Sequence, residues 1–295
     1  MIKLKFIILI FSINLYADYL MHPKTEALID ELVNEHGFER DYVSEVLASA
    51  ERKQKIIDSI SKPAEFTWTW DRYRKLFIED KRISNGKLFI KNNLQILEKA
   101  ENEFGVPKEI ITAIIGVETR YGKIQGSYRV IDSLLTLGFD YPRRANFFRK
   151  ELISFFLLTR ENELNILDIK GSYAGAMGYG QFISSSYRAY AVDYDGDGNA
   201  DLFNSVEDAI GSVANYLAVH GWKREGEIIY NSDPNNVRKI FKPNKELSKF
   251  IPLMFEEDGK EKYFIGDDNF IAITKYNVSH FYAMAVYYLS EELKK

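Results

Sequence analysis

The 295-residue sequence predicts an α+β fold, mostly α-helical, with a small antiparallel β insertion near its C-terminal end. Three observations carry that prediction. Apolar residues recur at helical spacing through most of the chain. Residues 256–276 instead have strand-like composition, with Asp258-Gly259 as a hairpin turn signal ahead of KYFI and NFIAIT. Hydrophobic residues at 46% and charged residues at 28% are globular proportions, which exclude wholesale disorder and a multi-span membrane protein.

The elements follow in order. Two lysines, Lys3 and Lys5, precede an apolar run over residues 6–15, and Ala17 is a small residue suited to cleavage. The run is too short to span a bilayer comfortably, so residues 1–17 read as a secretory signal peptide, and the mature protein is expected to work outside the cytoplasm. The alternative is a buried N-terminal strand or helix. Residues 18–61 carry helical patterning with many charges, and residues 66–77 (FTWTWDRYRKLF) are aromatic. Residues 87–104 predict a helix with Ile90, Leu94, Ile96 and Leu97 on its apolar side, stopped by Gly105; Pro107 suits the first turn of the next helix, over 107–121. FFRKELISFFLLTREN is a further helix. A glycine-rich loop spans 171–180 and an acidic loop 193–201, and helices are expected over 205–220 and 279–293.

Composition limits the chemistry. The net charge of −4 argues against a protein held to nucleic acid mainly by phosphate contacts. The chain has no cysteine, which excludes disulfides, thiolate catalysis, thiolate metal sites and a Cys-linked lipid anchor. His22, His36, His220 and His280 are scattered, with no HExxH and no GxSxG, so zinc protease and serine hydrolase readings lack support.

Glu118 is the most informative residue. At about 100° per residue it shares a helix stripe with Ile111, Ile114 and Ile115, and Tyr121 follows it by three positions. A carboxyl among isoleucines has its ionised form disfavoured, which makes it a candidate general acid; the structural alternative is a glutamate paired with a buried arginine or a helix N-terminus. Gly116 and Gly122 beside it suggest close approach of a backbone or ligand. In GSYAGAMGYGQF the spacing of Gly171, Gly175, Gly178 and Gly180 fits no phosphate-binding motif. Its Ser172, Tyr173, Tyr179 and Gln181 suit a polar, neutral ligand such as a sugar chain, or else the loop is a tight connection between helices. In DYDGDGNADLFN, oxygen-bearing side chains at alternate positions (Asp193, Asp195, Asp197, Asn199) with glycine at the sixth match the start of a calcium loop. The twelfth position is Asn204 rather than a glutamate, so Glu207 or Asp208 is the candidate to close the site; the alternative is an Asx/Gly turn capping a helix.

IGVETRYG, YPRRA, SYAGAMGYGQF, the DxDGDG loop, AIGSVANYLAVHGW and TKYN…FYAMAVYYL occur in this order between about residue 66 and the C-terminus. Together they resemble the lytic murein transglycosylase B family. The resemblance implies a lysozyme-like catalytic core over 66–222 and 270–295, flanked by a helical region over 18–65 and a small β region over 223–269. It implies cleavage of peptidoglycan between N-acetylmuramic acid and N-acetylglucosamine, with a 1,6-anhydro product and Glu118 as the sole acid and base. Substrate contacts map onto Tyr73, Arg144, Ser172, Gln181, Tyr216, Tyr276, Asn277 and Tyr282, and a structural calcium ion onto Asp193, Asp195, Asp197, Asn199 and Asp208. No organic cofactor is implied. The expected partner is the peptidoglycan glycan strand, with other cell-wall enzymes as candidates, for a monomeric, periplasmic protein. Phe147 departs from the family pattern, which often has tyrosine there, and the lipobox cysteine of some members is absent. Two rivals stay open: a hydrolytic muramidase using a second acid such as Asp132, and a non-catalytic wall-binding protein.

Overall fold

The computed structural model describes residues 19–62, 68–240 and 250–295. The expected signal peptide lies outside them, as does Phe66 at the start of the aromatic segment. The chain starts with a 3-10 turn, Tyr19–Met21, and three short helices, α1 (Thr25–Asn34), α2 (Arg40–Ser49) and α3 (Gln54–Ile60). Then come α4 (Trp70–Phe77), α5 (Asp80–Asn92), α6 (Leu94–Phe104) and α7 (Lys108–Thr119), the helix that carries Glu118. The two-residue strand β1 (Tyr128–Arg129) leads into α8 (Val130–Asp140) and α9 (Ala145–Glu161). After β2 (Lys170–Gly171) come α10 (Ser184–Tyr190), α11 (Val206–Val219), β3 (Ile229–Ser232) and α12 (Pro234–Ile240). The chain finishes with β4 (Ile251–Glu257), β5 (Lys260–Gly266), α13 (Asp268–Tyr276) and α14 (His280–Lys294).

Local chemistry fixes the boundaries near the site. Pro107 enters α7 at φ −56°, and Gly105 ends α6 at φ +73°, a left-handed position that glycine takes at no steric cost. Ser205, Asp267 and Ser279 cap α11, α13 and α14, each side chain accepting a backbone N–H of the first turn. Residues 110–117 of α7 are all buried. The helix packs along α14, against α5 and α11, and at its start against α6, so the carboxylate at its end sits on a frame of helices rather than on a loop.

Two expectations are corrected. The single helix over 87–104 is two: Asn93 leaves helical geometry at φ −118°, ψ 24°, and the chain restarts as α6. The extended segment over 256–276 is half right. The Asp258-Gly259 turn joins β4 to β5 in a three-stranded antiparallel sheet of order β3-β5-β4, but NFIAIT lies inside α13. The segment buries Phe270, Ala272 and Ile273 at helical spacing, and the Asp267 cap starts the helix, so packing overrides the β propensity of its isoleucines and threonine. Helix α8 had no sequence signal of its own because residues 130–139 are buried all round, leaving no polar face to show a period.

Candidate active site

Glu118 is half-buried at the last turn of α7, while its helix neighbours are buried. The chain then turns sharply: Arg120, Tyr121 and Gly122 all have positive φ, at 52°, 63° and 82°. Left-handed geometry at two non-glycine residues costs about 1–3 kcal/mol each and persists only where surroundings over-determine it. The Tyr121 ring supplies that restraint. A side chain at Gly86 or Gly116 would collide with it, and its hydroxyl donates to the Arg82 carbonyl at 2.9 Å. Gly116 and Gly122 thus do mark close approaches, but of the Tyr121 and Tyr179 rings rather than of a ligand. Tyr121 itself lies beyond the helix, not on its stripe.

Two phenols face the carboxylate. Tyr276 and Tyr282 are both held well above the usual tyrosine range, first by burial and then by the negative charge of Glu118. The buried Tyr282 hydroxyl lies beside that carboxylate. Tyr73, on α4 and buried, is close enough for its phenol to act on that of Tyr282. The Tyr276 hydroxyl donates to the Gly180 carbonyl at 2.6 Å. Tyr216 stands behind Tyr276, with ring centroids 4.8 Å apart; its hydroxyl is used on the Lys275 carbonyl at 2.7 Å, and burial pushes its pKa up to about 12.

A trough of about 690 Å³ is lined by Ile60, Tyr141, Arg144, Tyr173, Asn277 and Ser279, among others. Asn277 follows Tyr276, and Ser279 caps the helix bearing Tyr282, so one short stretch forms both a trough wall and the phenols that face Glu118. Arg144 is exposed and lies over the Phe147 ring at 4.2 Å, so this phenylalanine supports a guanidinium face without a hydroxyl of its own. The Ser172 hydroxyl accepts the N–H groups of Ala174 and Ala176, which shapes the glycine-rich loop from inside. Gln181, at φ 51°, donates to the carbonyls of Gln125 and Gly178, both at 3.0 Å. Ser172, Gln181 and Tyr216 are therefore held by internal bonds, whereas Arg144 and Asn277 line open space. The sequence reading passed over Thr119, whose fully buried hydroxyl joins the end of α7 to the glycine-rich loop. Its only signal was its place beside Glu118.

Asp132, the rival second acid, is corrected. It is buried at 2% exposure and bound by Arg129 through Nε (3.0 Å) and Nη2 (2.8 Å), with the Glu51 N–H on the same carboxylate. It lines a different cavity, beside Arg52 and Lys55. That carboxylate is engaged as the partner of a guanidinium and lies outside the trough lining.

The acidic loop has the geometry of a cation site. Carboxylate oxygens of Asp193, Asp195 and Asp197 lie within 4.8 Å of one another. Asp193 accepts the N–H groups of Gly196, Asp197 and Gly198, curling the loop around itself. Three close carboxylates repel one another, and an all-oxygen donor set fits a hard cation such as calcium. Asp208 is placed differently. It is fully buried and its two oxygens accept the N–H groups of Tyr194, Asp195 and Asp201, so it assembles the loop from the inside. Asx/Gly turns account for the local bonds, and the three converging carboxylates are the group that a cation would use.

A half-buried glutamate at the end of a buried helix, beside phenols borne by the stretch that walls a trough, on a mostly helical frame, fits a lysozyme-like enzyme acting on a glycan. Residues 21–291 match the family model of the transglycosylase SLT domain, and the chain belongs to that family. It is 39% identical over 302 residues to the membrane-bound lytic murein transglycosylase B of Escherichia coli strain K12, covering 93% of this chain and 83% of that protein. Among solved structures it is similar to the soluble lytic transglycosylase SltB1 from Pseudomonas aeruginosa, at 43% identity and a TM-score of 0.85, covering 92% of this chain and 98% of that one. It is equally similar in fold to the Escherichia coli lytic transglycosylase Slt35 in complex with calcium, at 38% identity and a TM-score of 0.85, covering 94% of each.

Proposed function

We propose that this chain is a lytic murein transglycosylase in which Glu118 alone serves as acid and then as base. The protonated Glu118 carboxyl gives its proton to the oxygen that links N-acetylmuramic acid to N-acetylglucosamine. The bond from that oxygen to the muramoyl anomeric carbon breaks, and the oxygen leaves as the 4-hydroxyl of N-acetylglucosamine. The Glu118 carboxylate then takes the proton of the muramoyl 6-hydroxyl, whose oxygen closes onto the anomeric carbon. A 1,6-anhydro ring forms, no water is consumed, and the proton is back on Glu118. A two-carboxylate glycosidase needs a second acid; here the substrate's own N-acetyl and 6-hydroxyl groups take that part.

The observation that carries this reading is a half-buried carboxylate faced by two phenols kept protonated, while the candidate partner Asp132 is consumed by Arg129. The neutral Tyr282 phenol is a donor suited to a developing negative charge on the carboxylate or the leaving oxygen, while Tyr276, its hydrogen on the Gly180 carbonyl, walls the carboxylate in. Arg144 meets the lactyl or peptide carboxylate, which a guanidinium can hold bidentately. Asn277 holds the N-acetyl group; Tyr73, Ser172, Gln181 and Tyr216 keep the site in shape. Asp193, Asp195 and Asp197, with Asn199, would hold a structural calcium ion, which when bound neutralises the loop's acidic cluster. The lysines and apolar run ahead of Ala17 support export to the periplasm, and no helix among the described residues is long and apolar enough to cross a membrane. Mass spectrometry of fragments released from purified sacculi tests the reaction: anhydromuramoyl ends are expected, and reducing ends would instead identify a hydrolase.

A further inference from the structure

Five residues form a closed circuit around the carboxylate. Glu118 is bonded covalently to Thr119, whose Oγ1 lies 2.8 Å from the Tyr179 carbonyl and 2.9 Å from the Gly122 N–H that it accepts. Tyr179 is bonded to Gly180, whose carbonyl accepts the Tyr276 hydroxyl at 2.6 Å. Tyr276 brings the path back to Glu118, whose charge acts on its phenol. The middle of this circuit is rigid. The Tyr179 N–H is held by the Leu202 carbonyl at 2.9 Å, its ring fills the space a side chain at Gly122 would need, and a Cβ at Gly180 would come within 2.7 Å of the Tyr276 hydroxyl.

We propose that the Tyr179–Gly180 backbone is a spacer that fixes the separation of Glu118 and Tyr276, with Thr119 and Gly180 as positioning residues for the proton transfers. Thr119 acts at the carboxylate end and Gly180 at the phenol end. A hydroxyl has one hydrogen, and although Ile115 offers a second acceptor at 3.1 Å, the Tyr179 carbonyl is the nearer. Valine has the shape of threonine without the hydroxyl, so Thr119→Val cuts the circuit and leaves the Gly122 N–H and Tyr179 carbonyl without this partner. The bland reading, in which Thr119 merely closes the helix end, predicts lost stability but normal turnover per folded molecule.

The inference rests on Glu118 being the acid, and the experiment separates the two. Turnover of a defined murein substrate is measured on the full chain for Thr119→Val, Thr119→Ser, Tyr276→Phe and the Thr119→Val/Tyr276→Phe pair. Glu118→Gln serves as control, and folded fractions come from circular dichroism. Displacement of a catalytic group by 1 Å can cost about 10²-fold. Thr119→Val is expected to lower kcat about tenfold or more with KM changed less than about threefold, and Thr119→Ser to recover most of that loss. In the Tyr276→Phe background, where the circuit is already open, Thr119→Val should cost less than about threefold further. Normal kcat in folded Thr119→Val, or losses that multiply in the pair, overturns the proposal. Should Thr119→Val not fold, Gly180→Ala reads the same circuit from its other end: a kcat loss that vanishes in the Tyr276→Phe background supports the spacer, and full activity overturns it. A dead Glu118→Gln beside a normal Thr119→Val sinks the spacer alone, whereas an active Glu118→Gln sinks the acid assignment on which it stands.

Discussion

The rings of Tyr276 and Tyr282 lie nearly parallel, 7° apart in plane and 6.4 Å between centroids, and both phenols face Glu118. Burial and the Glu118 charge raise both pKa values well above 10, so as pH rises toward that value neither loses its proton. Neither can serve as a base, and the Tyr282 hydroxyl, unlike that of Tyr276, is not already donating to a backbone carbonyl. Tyr282→Phe should lower kcat by up to the roughly 10²–10³-fold seen when one preorganised donor is removed, and Tyr276→Phe by less, because its hydrogen is already on the Gly180 carbonyl. The alkaline limb of the pH–rate profile below pH 10 should stay in place in both variants. A limb that moves in either would mean that the phenol itself ionises during turnover.

Arg144 gives a prediction about substrate choice. Its guanidinium lies over Phe147 and faces the trough beside Asn277. Arg144→Ala should raise KM for glycan that carries stem peptides, with kcat little changed, because the lost contact binds ground and transition states alike. Paired kinetics on peptide-bearing and amidase-stripped glycan provide the check. Equal effects on both substrates would confine the Arg144 contact to the glycan itself.

Glu257 links the small sheet to the site. It is buried at the end of β4 and accepts the Trp70 indole N–H at 3.0 Å and the Tyr288 hydroxyl at 2.7 Å, with Lys262 as ion-pair partner. Trp70 begins α4, which carries Tyr73, so this carboxylate clamps the aromatic helix in place. Burial pushes its pKa up, but Lys262, Trp70 and Tyr288 outweigh that and hold it below 4.5. With the folded value depressed, the stabilisation is complete above about pH 4.5 and is lost as pH falls through the folded pKa. Glu257→Gln should cost about 1.5–3 kcal/mol at pH 7, as for hydrogen bonds to a charged group, and should flatten the acid side of the stability curve. Urea melts from pH 3 to 7 measure both.

The acidic loop predicts a calcium-dependent melting temperature. A ligand at 100 times its Kd adds about 2.7 kcal/mol to the folded state. Millimolar calcium should therefore raise Tm by several degrees over a chelated sample, and Asp193→Asn should abolish the difference. Magnesium should do less, because it demands a tighter octahedral shell than three converging aspartates offer. An unchanged Tm on chelation, in protein shown by elemental analysis to have held calcium, would assign the loop no stabilising role.

Much of the site was legible in sequence because its signals are local. Glu118 stood out as a charge within an apolar stripe, the acidic loop as oxygens at alternate positions, and the glycine-rich loop as a spacing that neither helix nor strand tolerates. The illegible parts depend on distant partners. Nothing near Tyr216 in sequence shows that its hydroxyl is taken by Lys275, and nothing near Asp208 shows that three backbone amides converge on it. Asp132 is committed by Arg129, three residues before it, through two hydrogen bonds, and by the distant Glu51 N–H, which no local pattern shows. The all-buried α8 and the β-branched α13 failed for the complementary reason: tertiary packing removed the periodicity of one and overrode the propensity of the other.

The most direct test of the central claim is fragment release by Glu118→Gln from purified sacculi, followed by mass spectrometry beside a sedimentation assay of sacculus binding. Glutamine keeps the shape of the side chain and one acceptor oxygen but has no acidic proton to give. The account predicts binding close to that of the unaltered chain with no anhydromuramoyl product above background. Anhydromuramoyl ends formed at a near-normal rate by Glu118→Gln would contradict it, since the proton would then come from some other group.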